Sequence, residues 1–330
     1  MTWDDLRHGP WPDTARIPAD APDAATAARL SLPPTVRPVP GAEQVPVFDP
    51  AMQHHGRALR PSEPRFRDPD DAARWFAARR RALDHVLAAV GGSRWAENLM
   101  LRGSMLLSAW YGSAARDPGD LDFVLRPETW GVTEARTDVL LHGVARAAED
   151  VSRASGVLIH ADGAVWSDIW TYDRVPGRRV VLPWDTEGLP GGTVQLDFVF
   201  NEHLPSEPEF TDVPRPDGSG AARVLAASPE LSLAWKLLWL SSDIYPEGKD
   251  LYDACLLAEH TFVSADLLAK VFELADDSYK EEPIAEASLR ESLTYVEWDE
   301  FRKDRPNIAT TPQPYIDRLM EALRPTFDAL

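Results

Sequence analysis

Leu101-Arg102-Gly103-Ser104-Met105-Leu106-Leu107-Ser108 and, after a loop, Asp120-Leu121-Asp122-Phe123-Val124-Leu125 together decide how this chain folds. Residues 98–101 read as a short apolar strand and residues 104–111 as a turn or two of helix. Gly103-Ser104 therefore sits where a strand passes into a helix. Such a junction presents backbone N–H groups and the positive end of a helix, which suits a phosphate. In the second run, side chains of a strand alternate, so Asp120 and Asp122 share one face while Leu121, Phe123 and Leu125 take the other. Two carboxylates about 4 Å apart repel by about 4 kcal/mol at an effective dielectric near 20. A divalent cation that prefers oxygen ligands offsets that repulsion. The bland alternative is one Asp in a turn cap and the other in solvent.

Further along, Thr193-Val-Gln-Leu-Asp197-Phe-Val-Phe200 places an acid inside an apolar strand, where an ionised, unpaired carboxylate is costly. If this strand lies beside residues 121–125, Asp197 completes a three-carboxylate cluster. Otherwise it is an edge-strand acid facing water. Residues 165–172, 179–182 and 193–200 are short β-branched and aromatic runs between Pro-Gly and Gly-Gly turns. Two amphipathic helices precede them. Residues 70–90 place Ala73, Phe76, Ala77, Leu83, Val86 and Leu87 on the apolar side. Residues 133–155 do so with Val139, Leu140, Val144, Ala147, Ala148 and Val151. Beyond Ser228 the pattern is helical almost to the end. Periodicity thus predicts a mixed α and β half followed by a helical half.

Thirteen of the 29 prolines fall in the first 69 residues, which excludes a long helix or central strand there. Trp3, Trp11, Val45, Val47 and Phe48 are apolar anchors, so an extended arm draped over the main body is expected. The predicted organisation is a proline-rich arm over 1–69, an α/β domain over 70–227 and a helical domain over 228–330.

Across 330 residues, 34 Lys and Arg stand against 53 Asp and Glu, a formal charge of −19. That argues against a general coat for nucleic acid, although a local basic groove is compatible with it. The run Arg79-Arg80-Arg81 reads as a solvated helix face, with polyanion contact as the alternative. The lone Cys255 excludes an internal disulfide and a cysteine zinc site, and reads as buried packing. The adjacent His54 and His55 lack recognisable partners for a metal. The chain shows no apolar run long enough to span a membrane and no signal-like start, so a cytoplasmic location is expected.

Ser228 and Pro229 form a helix start, and Lys236 follows among Leu233, Trp235, Leu237 and Leu238. A cation in so apolar a helix wants an anion, either Asp250 or Asp253 or a nucleotide phosphate. Asp250 and Asp253, three apart, share a helical face.

Gly103-Ser104, Asp120-x-Asp122 and the later strand acid Asp197 resemble the signature of the DNA-polymerase-β-type nucleotidyltransferases, and within them the AbiEii/AbiGii toxin-type family. Arg116 ahead of the acid pair, Lys236 in its helix, and Lys249-Asp250-Leu-Tyr-Asp253 are similar to further motifs of that family. The resemblance spans residues 101–259. Two features depart from it: the interval from Ser104 to Asp120 is longer than the family often shows, and residues 239–245 contain no Arg.

The resemblance implies an α+β, polymerase-β-like nucleotidyltransferase domain, a mixed sheet with flanking helices, followed by a helical C-terminal domain. It implies an enzyme that moves an NMP from an NTP to an acceptor hydroxyl, releasing pyrophosphate, with RNA such as tRNA or a protein as acceptor and a cognate antitoxin as partner. In that scheme Asp120, Asp122 and Asp197 hold Mg²⁺ or Mn²⁺, and Asp197 also accepts a proton. Gly103 and Ser104 cradle the β- and γ-phosphates, Lys236 neutralises the triphosphate, and Arg116, Asp250 and Asp253 belong to the nucleotide site. Two alternatives stand beside it: the same chemistry on a small hydroxylated molecule, and a degenerate member that binds nucleotide or a partner without catalysis. The acid-rich last 70 residues read as a helical cap.

Overall fold

The computed structural model describes residues 2–6, 11–12, 14–171 and 175–329. Among them the strands are β1 (Pro46–Phe48), β2 (Leu59–Pro61), β3 (Leu99–Arg102), β4 (Asp120–Leu125), β5 (Val157–Ile159), β6 (Val165–Thr171), β7 (Val175–Thr186), β8 (Gly192–Val199), β9 (Glu209–Pro214) and β10 (Ala221–Ala226). The helices are α1 (Ala24–Leu30), α2 (Pro69–Gly91), α3 (Ser104–Tyr111), α4 (Ala135–Ser152), α5 (Pro229–Ser242), α6 (Gly248–His260), α7 (Ala265–Ala275), α8 (Glu286–Ser292), α9 (Trp298–Asp304) and α10 (Gln313–Phe327). The chain is α+β, and no described helix is long and apolar enough to cross a membrane. The strand expected over 165–172 runs to Thr171, and Tyr172 lies outside the described residues. β5, β9 and β10 lay outside the strands read from sequence.

Two compact units form. The first comprises Met1–Leu101, Pro118–Asn201 and Phe210–Leu225; the second comprises Arg102–Asp117, Glu202–Glu209 and Ala226–Leu330.

The first unit is built on a sheet with strand order β5-β7-β8-β4-β3-β10-β9, with β6 on β7. β4 and β8 are parallel neighbours, and Leu121 meets Leu196 while Phe123 meets Phe198. Their rings stack with centroids 5.6 Å apart. β7 pairs antiparallel with both β8 and β6. β8 is thus interior, so Asp197 is not on an edge.

α2 packs against α4 and β8. Asp68 caps α2 and Pro69 opens it, as a fixed φ and a missing N–H suit a first turn. The buried face of α2 runs through Trp75, Ala78, Arg79, Ala82, Leu83, Val86 and Leu87, whereas Ala73 and Ala77 are exposed. Trp75 rotates the face in the first turns because its large ring packs on Trp184 and its indole N–H donates to the Pro190 carbonyl. The arginine run is correspondingly not a uniform solvated face. Arg79 is buried on Trp75 and Phe76 and bonds Glu63 at 2.6 Å, Arg80 bonds Asp84, and only Arg81 is exposed. On α4, Leu140, Leu141, Val144, Ala145 and Ala148 are buried, while Val139 and Val151 face solvent. Gly143 lets the outer edge of the Trp95 ring approach the helix backbone, since a Cβ there would stand 1.8 Å from the indole.

The arm is more structured than an extended drape. Trp3, Leu6, Ala15, Ile17, Leu30, Leu32, Val36 and Leu59 form a small core of their own. β1 and β2 pair antiparallel. His55 lies 3.3 Å from the Ser167 hydroxyl on β6.

The second unit is helical around α5. Ser228 accepts from the Leu231 N–H and Pro229 starts the helix. Every residue from Leu231 to Leu240 is buried, which marks a helix enclosed on all sides rather than a surface one. α6, α7 and α8 pack on α5, and α9 and α10 on α6. Cys255 is buried in α6, as packing requires.

Candidate active site

The first unit carries the strand acids. Asp120 and Asp122 alternate with buried Leu121 and Phe123 on β4, so both carboxylates leave the core on one face. Parallel pairing sets Asp120 against Gln195 and Asp122 against Asp197. Register partners in a sheet project to the same side, so the three acids share a face across two adjacent strands. Burial pushes the Asp197 carboxyl above its usual value, with Asp120 and Asp49 adding to the rise and Arg179 opposing it.

Sequence reasoning missed the partner of Asp197. Arg179 on β7 stands opposite Asp197 in the ladder. Its Nε donates to Oδ1 and its Nη2 to Oδ2, both at 2.9 Å, and its Nη1 donates to Asp49 Oδ2 at 2.5 Å. Gln195 Nε2 donates to Asp197 Oδ2 at 3.2 Å. Side-chain exposure is 7% for Arg179, 7% for Asp49 and 10% for Asp197, so these charges stabilise one another away from water. Burial alone would weaken the Arg179 cation, but Asp197 and Asp49 hold its pKa well above the ordinary value. The available signal was Arg179 itself, a cation in an apolar strand that demands an anion. Asp49 had none, lying 130 residues away.

Oxygen-only carboxylate donors suit Mg²⁺ or Mn²⁺ rather than a soft metal. Among the described residues, no three His, Cys, Asp or Glu side chains are gathered to hold an ion as they stand. The fork of Arg179 on Asp197 is one physical reason. The chemistry of the donors on β4 and β8 fits a divalent cation, with Asp197 left to offer a single lone pair.

The second unit carries the remaining candidates. Gly103 precedes α3 with φ 85° and ψ −159°, a conformation that favours glycine, and no side chain caps the helix. Ser104, the first residue of α3, is buried. Arg116, Lys236, Asp250 and Asp253 come together. Lys236 Nζ lies 2.6 Å from Asp250 Oδ1 and 3.1 Å from Asp253 Oδ2. Arg116 grips Asp253 through Nε and Nη2, both at 3.0 Å. Two cations and two anions balance in this cluster. Burial disfavours the charged forms of Lys236 and Asp253, yet Asp250 and Asp253 hold the Lys236 pKa up, and Arg116 and Lys236 hold the Asp253 carboxyl down. Nearby, Arg102 lies over both Trp235 and Trp239 and reaches Glu202 at 3.3 Å.

An α+β unit with acids on adjacent parallel strands, and a glycine-led helix start in the same chain, are the arrangement that the sequence resemblance to nucleotidyltransferases leads one to expect. The model of the nucleotidyl transferase AbiEii toxin family, of type IV toxin–antitoxin systems, matches residues 81–330, about three-quarters of the chain. The chain belongs to the AbiEii family of nucleotidyltransferase toxins. Among solved structures, it is similar to MenT4, a nucleotidyltransferase toxin from Mycobacterium tuberculosis H37Rv, at 16% identity over 78% of this chain and 92% of that one, with a TM-score of 0.41. No curated protein matches it.

Proposed function

We propose that the protein transfers an NMP from an NTP to a hydroxyl of an RNA such as tRNA, or of a protein, releasing pyrophosphate, in a Mg²⁺-dependent reaction. The observation that carries this reading is the shared face of Asp120, Asp122 and Asp197 on adjacent parallel strands, in a chain of this family. Asp120 and Asp122 bind the ion, and Asp197 contributes a further oxygen. When bound, Mg²⁺ supplies charge neutralisation for the triphosphate and lowers the pKa of the acceptor hydroxyl. Gly103 permits close approach of backbone to phosphate, and Ser104 opens the helix whose amides receive it. Lys236 meets a phosphate by exchanging a carboxylate contact, because Asp250 and Asp253 hold its Nζ; Arg116 then keeps Asp253 in place. A cognate antitoxin is the expected protein partner, from the family's toxin–antitoxin character.

A second reading places the same chemistry on a small hydroxylated acceptor. It is favoured by the engagement of Arg79 with Glu63 and Arg80 with Asp84, which removes two cations from any surface for RNA. The deciding experiment supplies Mg²⁺, each labelled NTP, and in separate arms total RNA, a protein extract or a panel of small alcohols, with Asp120→Ala/Asp122→Ala as control. Label on RNA that disappears in the control is the expected result. Label only on small acceptors selects the second reading, and no transfer to any acceptor, RNA and protein included, refutes both.

A further inference from the structure

We propose that Arg179 and Asp49 are positioning residues for Asp197, so that the N-terminal arm supplies part of the acidic site. The inference rests on the reading that Asp197 contributes an oxygen to the divalent cation. A guanidinium carries five donors in a rigid plane, and a two-point grip fixes the plane of the carboxylate it holds. Here the Nε/Nη2 edge takes Asp197 and the remaining Nη1 takes Asp49. An Arg179–Asp197 pair is already neutral. What Asp49 adds is direction: it stops the guanidinium from pivoting about its own long side chain.

Asp49 is well placed for that task. It follows β1 directly, its N–H donates to the Ala58 carbonyl at 3.0 Å, and its carbonyl accepts from Met52. Met52 is fully buried. The arm thereby presents Asp49 from a fixed backbone, although Asp49 lies outside the family-matched residues 81–330. With Arg179 and Gln195 together donating three hydrogen bonds, Asp197 keeps about one of its roughly four lone-pair sites. Its register partner across the β4–β8 ladder is Asp122. Arg179 and Asp49 set where the remaining lone pair points.

The test uses the full-length protein and Asp49→Asn, Arg179→Lys and Asp197→Asn variants. Three quantities are measured: Mn²⁺ affinity by calorimetry without nucleotide, kcat for label transfer, and melting temperature. Partners that orient a metal ligand typically account for about 10- to 100-fold in affinity or activity. Asp49→Asn and Arg179→Lys are each expected to weaken Mn²⁺ binding about tenfold or more and to slow transfer. Arg179→Lys keeps the charge but loses the fork, so charge alone does not restore binding. Unchanged Mn²⁺ affinity in both, with only a lower melting temperature, overturns the inference in favour of a structural ion triad. Tighter Mn²⁺ binding in either also overturns it, by showing that Arg179 competes with the ion. If Arg179→Lys does not fold, Asp49→Asn alone decides. If Asp197→Asn binds Mn²⁺ and transfers label like the wild type, the assignment of Asp197 fails and the inference with it. If Asp197→Asn is impaired while the other two are not, the inference alone fails.

Discussion

Replacing Lys236 by Met removes the central cation of the cluster in the helical unit. Lys236 is 5% exposed at its side chain, and Asp250 and Asp253 are each 1% exposed. Without Lys236, Asp253 keeps Arg116, but Asp250 loses the ammonium 2.6 Å away. Its Oδ2 already has no hydrogen-bond partner in the structure. Breaking a buried pair by removing one partner costs about 3–5 kcal/mol. For a chain of 330 residues that corresponds to a fall in melting temperature of about 4–7 °C. The assay is guanidinium unfolding followed by near-ultraviolet circular dichroism, to which the Trp235–Trp239 stack flanking Lys236 contributes. The double variant Lys236→Met/Asp250→Asn restores charge balance and is expected to recover more than half of the loss. A loss below about 1 kcal/mol in the single variant would refute the reasoning, because the cluster would then not depend on its cation. The same protein, assayed for transfer beside the double variant, separates a structural contribution of Lys236 from a nucleotide contact. Stability recovered without activity, while Asp250→Asn alone stays active, identifies the contact as that of Lys236.

Asp253 predicts an acid limb in stability. Its folded-state pKa lies below the ordinary 3.8, so the folded state favours the ionised form. Its contribution is complete above the unfolded value and is lost as pH falls through the folded one. Unfolding midpoints between about pH 6 and pH 2.5 should show this limb, and Asp253→Asn should be less stable throughout but shallower there; an identical slope would contradict the ion-pair account. Burial pushes the Cys255 thiol up to about 11. Thiolate is the reacting species, so a disulfide reagent at pH 8 should label the native protein far more slowly than the denatured one. Equal rates would show that Cys255 is not shielded.

Much of the architecture was legible locally. Ser228-Pro229 marked the start of α5, Asp120-x-Asp122 the outward face of β4, and Gly103 the turn into α3. Each rests on a local rule: a cap, a period of two, or a φ that glycine tolerates. Periodicity was less able to choose the buried side of α2 and α4. Trp75 and Gly143 act there through what they touch, Trp184 and Trp95, which lie far off in sequence. Short strands β9 and β10 were missed because their pattern is weak outside the sheet that pairs them.

The sequence by itself determined the division into a mixed α and β half and a helical half, the family, and which acids and cations require a partner. A charge among apolar neighbours is conspicuous in any linear reading, because burying it alone is so costly. Only the tertiary structure decided who those partners are. It brought β8 beside β4 so that Asp197 faces the side of Asp122, and it assigned Arg116 and Lys236 to Asp253 and Asp250. It also carried Asp49 of the arm to Arg179. Pairing energies depend on distance in space, and separation along the chain does not predict that distance.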